Sequence, residues 1–466
     1  MAGRSDDLAV ASADDLVFGR APRPVRLRSG LVVGGGTVHP EVNFTLPPMT
    51  ITAGTMDDVV GQYRQMVSGV CTRAVELGVP GLVVEVELLP ELTRTPGWGV
   101  RVVDVVRAGL DAAAGRGVVP GLRVTPNDLR EFARPPLLRE GPLLAAMLAS
   151  FDGVARAGAD LLAIESTGGK ELHDGALLAA DLPAIVLALG VLAPRDMEFC
   201  WDAIVEVAGA TGALPSGDSA CGFANTAMVL ADQRHIPRVL AALVRVLAVP
   251  RALVAFERGA VGPSKDCAYE GPYLKAITGC PVSLEGSEAA CAHLSPVGNV
   301  AHATADLWSN ESVANVKLLA GMAPTVSLEQ LAYACRLLNT ATAAGPATAR
   351  TLRDLYVASD AGTDPQAYVL RPDVVVELAR EIVAEPTAYG RTRRAGLATL
   401  AVLRRAVGAG EIVLSRPETR WLDRLSVAMD EIPEDPDALL AAVSPDPGVV
   451  RLDQYGLARA GAGAVG

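Results

Sequence analysis

Between residues 80 and 345 this chain alternates short β-rich runs with amphipathic helical stretches, and that alternation restricts its fold more than any other feature. The runs are 81-GLVVEVE-87, 118-VVPGLRV-124, 159-ADLLAIE-165, 183-PAIVLAL-189, 213-ALPSGDS-219, 251-RALVAFE-257, 281-PVSLEG-286 and 316-VKLLAGMAPTV-326. Helical patterns such as 97-GWGVRVVDVVRAGLDAAAGRG-117, 143-LLAAMLASFDGVARAGA-159 and 226-TAMVLADQRHIPRVLAALVRVLA-248 lie between them. Parallel strands are joined by crossovers of a dozen or more residues, usually helices. Eight strand-then-helix units in about 250 residues therefore match an α/β fold, the (β/α)8 TIM barrel. An open doubly wound sheet is the alternative. Its dinucleotide-binding form needs G-x-G-x-x-G opening a helix, and 34-GGGTVH-39 lacks the third glycine.

The flanks read differently. Residues 1–80 form an N-terminal helical and irregular extension, with one clear helix in 57-DDVVGQYRQMVSGVCTRAVELG-78 behind the irregular 39-HPEVNFTLPP-48. Residues 81–345 would make the barrel. Residues 346–466 are mainly helical, as in 372-PDVVVELAREIVAE-385 and 393-RRAGLATLAVLRRAVGAG-410, and would pack on it. The small-residue stretch 457-LARAGAGAVG-466 is expected to fray.

Of 466 residues, 50% are hydrophobic and 20% charged, enough apolar surface for a large core and too much for a disordered chain. The net charge of −12 comes with no clustered basic face, which argues against a nucleic-acid partner. No run reaches the roughly 18 apolar residues of a membrane span, and acidic residues occupy the N-terminus where a signal peptide would be apolar. The seven cysteines are odd in number and widely spaced, which suits thiols in a reducing cytoplasm better than a disulfide framework. A cytoplasmic enzyme is the expectation.

In a (β/α)8 barrel the C-terminal ends of all strands converge on one face. Three segments place a good zinc ligand near such an end: Glu165 in 161-LLAIESTGGKE-171, Cys221 in 216-SGDSACGFANTAM-228 and Cys267 in 259-GAVGPSKDC-267. Three protein ligands with a fourth position open is how a catalytic zinc is held, whereas structural zinc is usually closed by four. Two thiolates and a carboxylate make a weaker Lewis acid than three neutral histidines do. Such a zinc still stabilises a developing alkoxide.

Each residue also has an ordinary reading. Free cysteines are common in cores, and Gly168-Gly169-Lys170 reads as a turn opening a helix. Glu165 is harder to set aside, because a carboxylate ending an apolar run needs a cation or donors. Asp218 suits an outer-shell acceptor or a helix cap equally. Glu85 and Arg123 lie within strands, where an ion pair or a site role is open. The pair 291-CAH-293 is a weak metal candidate, and 308-WSNESV-313 reads as a capped helix start. No H-E-x-x-H and no G-x-S-x-G occurs, so metalloprotease and serine-hydrolase chemistry lack support.

At these residues the chain resembles the zinc-containing subunit of methanol:corrinoid methyltransferase, the methanol-cobalamin methyltransferase B family. The likeness runs through 40-PEVN-43, 97-GWG-99, 160-DLLAIESTGGKE-171, 217-GDSAC-221, 224-ANTAM-228, 259-GAVGPSKDC-267, 275-KAITG-279, 291-CAH-293, 308-WSNES-312 and 364-DPQAY-368. The resemblance implies a TIM barrel whose zinc is held by Glu165, Cys221 and Cys267. It also implies methyl transfer from methanol to Co(I) of a corrinoid on a partner protein, within a larger complex that contains a homo-oligomer of this subunit. No D-x-H-x-x-G string is present, so the corrinoid would arrive on the partner. Lys265 and Asp266 would then contact partner or corrinoid, or else be solvated turn residues. The chain departs from the family at Leu88, in place of a histidine, and at Ala220, Gly222 and Phe223 around the zinc cysteine. These changes are expected to make the mouth less polar and to leave room for another donor, such as a methyl ether or methylated amine.

Overall fold

The computed structural model describes residues 3–219, 222–266, 269–287, 295–313, 317–318 and 321–457. An antiparallel hairpin, β1 (Arg20–Arg26) and β2 (Val32–Gly35), precedes eight parallel strands: β3 (His39–Thr45), β4 (Gly81–Leu88), β5 (Val119–Pro126), β6 (Leu161–Ile164), β7 (Leu214–Asp218), β8 (Ser264–Asp266), β9 (Val282–Glu285) and β10 (Leu307–Val313). Their order in the sheet is β7-β6-β5-β4-β3-β10-β9-β8. The last strand pairs with the first in register, from Leu307 opposite His39 to Val313 opposite Thr45. The remaining seam, between β7 and β8, is bridged where Val261 N–H donates to Pro215 O at 2.8 Å. Gly217 allows that seam to be tight: its φ is +129°, and a Cβ there would lie 3.0 Å from Ser264 Cβ. The α/β barrel read from the sequence is the fold.

Several of its strands are not where the hydrophobic runs put them. The run 183–189 is the helix Leu182–Leu187 with the π turn that follows it, and 251–257 lies in the helix Val249–Arg258. Both are buried on every side, so their apolar run has no polar face to reveal a helical period. The stretch 316–326 holds two short antiparallel strands and the start of the helix Ala323–Ala343 rather than a barrel strand. The true strands β3 and β10 come from 39–45, read as irregular, and from 308–313, read as a helix start. The barrel therefore opens at His39. In β3, Val42 and Phe44 face the apolar shell, while Glu41 accepts from Arg123 of β5 and Asn43 donates to Glu87 of β4 inside the barrel. That polar inner face is what hid the strand.

The floor of the barrel is plugged by the N-terminal hairpin. Leu27 and Leu31 from its turn join Val25, Val33, Val83, Leu161 and Leu307 in a separate apolar cluster. A Cβ on Gly81 would meet Leu31 Cδ1 at 2.5 Å, and one on Gly121 would meet Leu27 Cδ1 at 2.5 Å. Glycine at both strands is thus the condition for inserting the plug. The stretch Arg238–Arg258 is apolar and long enough to cross a membrane, but its apolar interior is buried within the protein, as a core helix is.

Candidate functional site

Glu165 stands one residue past the end of β6, at the barrel mouth. The next four residues turn sharply into the helix Lys170–Ala179, with Gly169 at φ +84°. This loop is pinned from three sides. Ser166 N–H donates to Asp218 Oδ1 at 3.1 Å, and Thr167 donates to Asp128 Oδ2 from both its N–H (3.1 Å) and its Oγ1 (2.9 Å). Arg251 Nη2 reaches Asp218 Oδ2 and Ser166 Oγ, each at 2.6 Å, and Ser166 O at 3.1 Å. Its guanidinium lies 4.3 Å from the Phe223 ring centroid, a cation–π contact.

Behind the loop, Arg130 clamps Asp128 and Asp196, with contacts of 2.7 Å to each carboxylate and all three groups buried. Burial raises the Asp128 pKa, but Arg130 outweighs it and holds that carboxyl below the usual range. Asp128 thus stays an ionised acceptor for Thr167. Gly168 is required because a Cβ there would collide with the Asp196 side chain.

The Glu165 carboxylate itself has no such support. No hydrogen bond or ion pair among the described residues involves it. Burial first, then the Glu87 and Asp218 carboxylates, push its pKa up to about 8. A cation at this point would remove that cost. Gly222, the residue after Cys221, abuts it: a Cβ there would lie 3.1 Å from Glu165 Oε1 and 3.3 Å from Lys170 Cε. Lys170 is turned to Asp174.

Beside Glu165 the inner wall is charged. Lys265 Nζ, on β8, is buried 2.8 Å from Glu85 Oε2, 3.2 Å from Glu87 Oε1 and 3.7 Å from Glu285 Oε1. Burial pushes Glu85 up, yet Lys265 and Arg123 overcome it and hold the carboxyl below its ordinary range. Thr125 Oγ1 donates to Glu85 at 2.7 Å and Asn43 Nδ2 to Glu87 at 2.9 Å. Deeper, Arg123 pairs with Glu41 at 2.7 Å and donates to Ser216 Oγ and Pro263 O. One ammonium is thus shared by three carboxylates.

The fate of each candidate follows. Glu165 and Asp218 meet at the same loop, and Asp218 tethers Ser166 rather than capping a helix. Glu85 and Arg123 are each ion-paired, with Lys265 and Glu41 respectively. Lys265 is no solvated turn residue but a buried wall residue. Cys221, Cys267, Ala220, His293 and Cys291 lie outside the described residues, as does the side chain of Asp266; in sequence Cys267 directly follows β8. Leu88 and Phe223 do not line an open mouth: both are buried, Leu88 under Gly99 and Phe223 between Arg251 and His173, whose ring centroid is 5.0 Å away. Arg251, Arg130, Asp128, Asp196 and Glu87 were not among the candidates. An arginine inside the apolar run 251-RALVAFE-257 was the available signal, since a buried guanidinium requires anionic or carbonyl partners.

The model of the methanol-cobalamin methyltransferase B subunit family matches residues 2–448. The chain is 35% identical over 444 residues to the methanol–corrinoid protein co-methyltransferase of Methanosarcina barkeri, covering 94% of this chain and 95% of that one. It is likewise similar to a chain in the crystal structure of the methanol:cobalamin methyltransferase complex MtaBC from Methanosarcina barkeri. That match has a TM-score of 0.93 and 34% identity, over 98% of this chain and 100% of that chain.

Proposed function

The chain belongs to the methanol-cobalamin methyltransferase B subunit family, and from that premise we propose that it activates methanol with zinc and passes the methyl group to the Co(I) corrinoid of a partner protein. The observation that carries the zinc reading is Glu165, a carboxylate without a donor among the described residues, in carboxylate-rich surroundings and on a loop tied down by Asp128, Asp218 and Arg251. Glu165, Cys221 and Cys267 would hold the metal. When bound, zinc supplies Lewis acidity toward the methanol oxygen and stabilises the departing alkoxide.

The chain's own residues do the rest by positioning. Asp128, Asp218 and Arg251 fix the backbone that carries Glu165, so the ligand needs little reorganisation on binding. The Glu85–Lys265–Glu285 wall keeps the neighbouring charge ordered. The corrinoid brings the nucleophile, so none is required here, and the absence of a serine or histidine catalytic motif accords with that. Because Leu88 and Phe223 are consumed by packing, they give no reason to enlarge the donor beyond methanol.

The test follows corrinoid absorbance with zinc-loaded protein, reduced corrinoid partner and methanol. We expect methylated corrinoid to form only with zinc present and to vanish with Cys267→Ala. Product from dimethyl ether or methylamine, but not methanol, would move the donor. A zinc-loaded protein inert with every donor would overturn the reading.

A further inference from the structure

The segment after residue 448, beyond the stretch matched by the family model, packs against residues 138–140 and the Glu165 loop. Its short 3-10 turn, Leu452–Tyr455, makes two kinds of contact there. Gln454 Oε1 accepts from Leu138 N at 3.0 Å and Arg139 N at 3.1 Å, and its Nε2 donates to Glu140 Oε1 at 3.1 Å. Tyr455 Oη accepts from Gly169 N at 2.9 Å. Val450 and Tyr455 are buried with Leu138 and Leu192 in a small apolar cluster of their own. Gly456, at φ +67°, turns the chain where a Cβ would lie 2.9 Å from Arg139 Nη1.

We infer that residues 449–457 are a strap that positions the Glu165 loop for the metal, with Tyr455 as the positioning residue. The inference rests on the reading of Glu165 as a metal ligand. The loop from 165 to 169 has its first half tied by Asp218 and Arg251 and its middle by Asp128. Its last backbone N–H, at Gly169, is tied by Tyr455. Gly169 is in the left-handed region, where glycine has wide conformational freedom, so the loop is softest at the point the strap holds. Without the hydroxyl, Gly169 N–H loses its acceptor and the turn that presents Glu165 gains freedom. Ordering it on metal binding then weakens affinity. The Tyr455 ring sits in the apolar cluster, so Tyr455→Phe removes the bond and keeps the packing.

The experiment measures zinc affinity by chelator competition, thermal midpoint of the zinc-free protein, and amide exchange of the peptide spanning 165–172, in wild type, Tyr455→Phe and Glu165→Gln. For Tyr455→Phe we expect zinc affinity about ten-fold weaker, the size typical of an outer-shell partner, with faster exchange at Gly169 and an unchanged midpoint. Gln454→Ala, which loosens the other arm of the strap, should speed exchange near residue 139. Unchanged zinc affinity in Tyr455→Phe, with affinity lost in Glu165→Gln, would overturn the strap and leave the ligand assignment standing. Unchanged affinity in Glu165→Gln would overturn the ligand reading itself. A fall in zinc affinity matched by a fall in the zinc-free midpoint would assign Tyr455 to general stability and also overturn the inference.

Discussion

The two ends of the barrel handle buried charge in opposite ways. At the floor, Lys275 spends its three protons on Val17 O (2.9 Å), Thr304 O (2.8 Å) and Asp306 Oδ1 (2.8 Å), while Asp306 Oδ2 accepts from Val282 N at 3.0 Å. One cation meets one anion, and the Leu27 and Leu31 plug seals the rest. At the mouth, Lys265 is shared among Glu85, Glu87 and Glu285, and Glu165 beside them has neither donor nor ion-pair partner among the described residues. Burying an uncompensated carboxylate is costly, so a fold that needed only stability would not keep it. The floor is built to persist; the mouth leaves Glu165 without a partner among the described residues, which is what the proposed zinc would supply.

The largest expected effect would break the mouth alone. Glu165→Gln should lower zinc affinity by more than the ~100-fold upper range for outer-shell partners and abolish methyl transfer. Its zinc-free melting temperature should equal or exceed that of wild type, since a strained carboxylate has gone. Calorimetry of the metal-free protein checks this, and a clear loss of stability would place Glu165 with the floor residues.

Next comes the reverse experiment. Leu31→Ala opens a cavity in the plug and should cost about 2–5 kcal/mol in urea unfolding, with zinc affinity per folded molecule unaltered. A change in zinc affinity would mean the two ends are coupled.

Acid supplies a third, smaller test. Burial lowers the pKa of His39 to about 4 and of His302 to about 3, both from an ordinary 6.5. A group whose folded value is depressed in this way takes its proton in the unfolded chain first. Stability is therefore full above pH 6.5 and falls as pH drops through the window toward 3–4, by about 1.4 kcal/mol per pH unit for each histidine. Among the described residues His302 has no hydrogen-bond partner, and it packs on Trp308 and Tyr356. His302→Leu should remove one proton's worth of that slope; an unchanged slope would show that His302 is not buried neutral. The smallest effect belongs to the surface: Arg258→Ala, which breaks the exposed pair with Asp202, should change stability by less than about 1 kcal/mol.

The same contrast explains what could be read from the sequence. The barrel as a class was legible because alternation survives errors in single strands. Strands β4, β5, β6 and β9 were legible as apolar runs. Strands β3, β8 and β10 were not, because Glu41, Asn43, Lys265, Ser309 and Asn310 break the hydrophobic pattern and are buried inside. Those polar residues become sensible only when Arg123, Lys265 and their partners meet across the barrel. Conversely, 183–189 and 251–257 looked like strands because buried helices have no polar stripe. Glu165 and its companion Asp218 were legible at strand ends. The supports Arg130, Asp196 and Tyr455 were not, since they reach the loop from helices and a C-terminal turn up to 286 residues away in sequence.

The most direct test of the mouth as a metal-receiving end is zinc X-ray absorption on the wild-type protein and Glu165→Gln. The account expects two sulfur neighbours at about 2.3 Å and light-atom neighbours at about 2.0–2.2 Å in the wild type, with one light-atom neighbour lost or lengthened in the variant. A four-sulfur or histidine-rich shell, or a spectrum identical in both proteins, would contradict it.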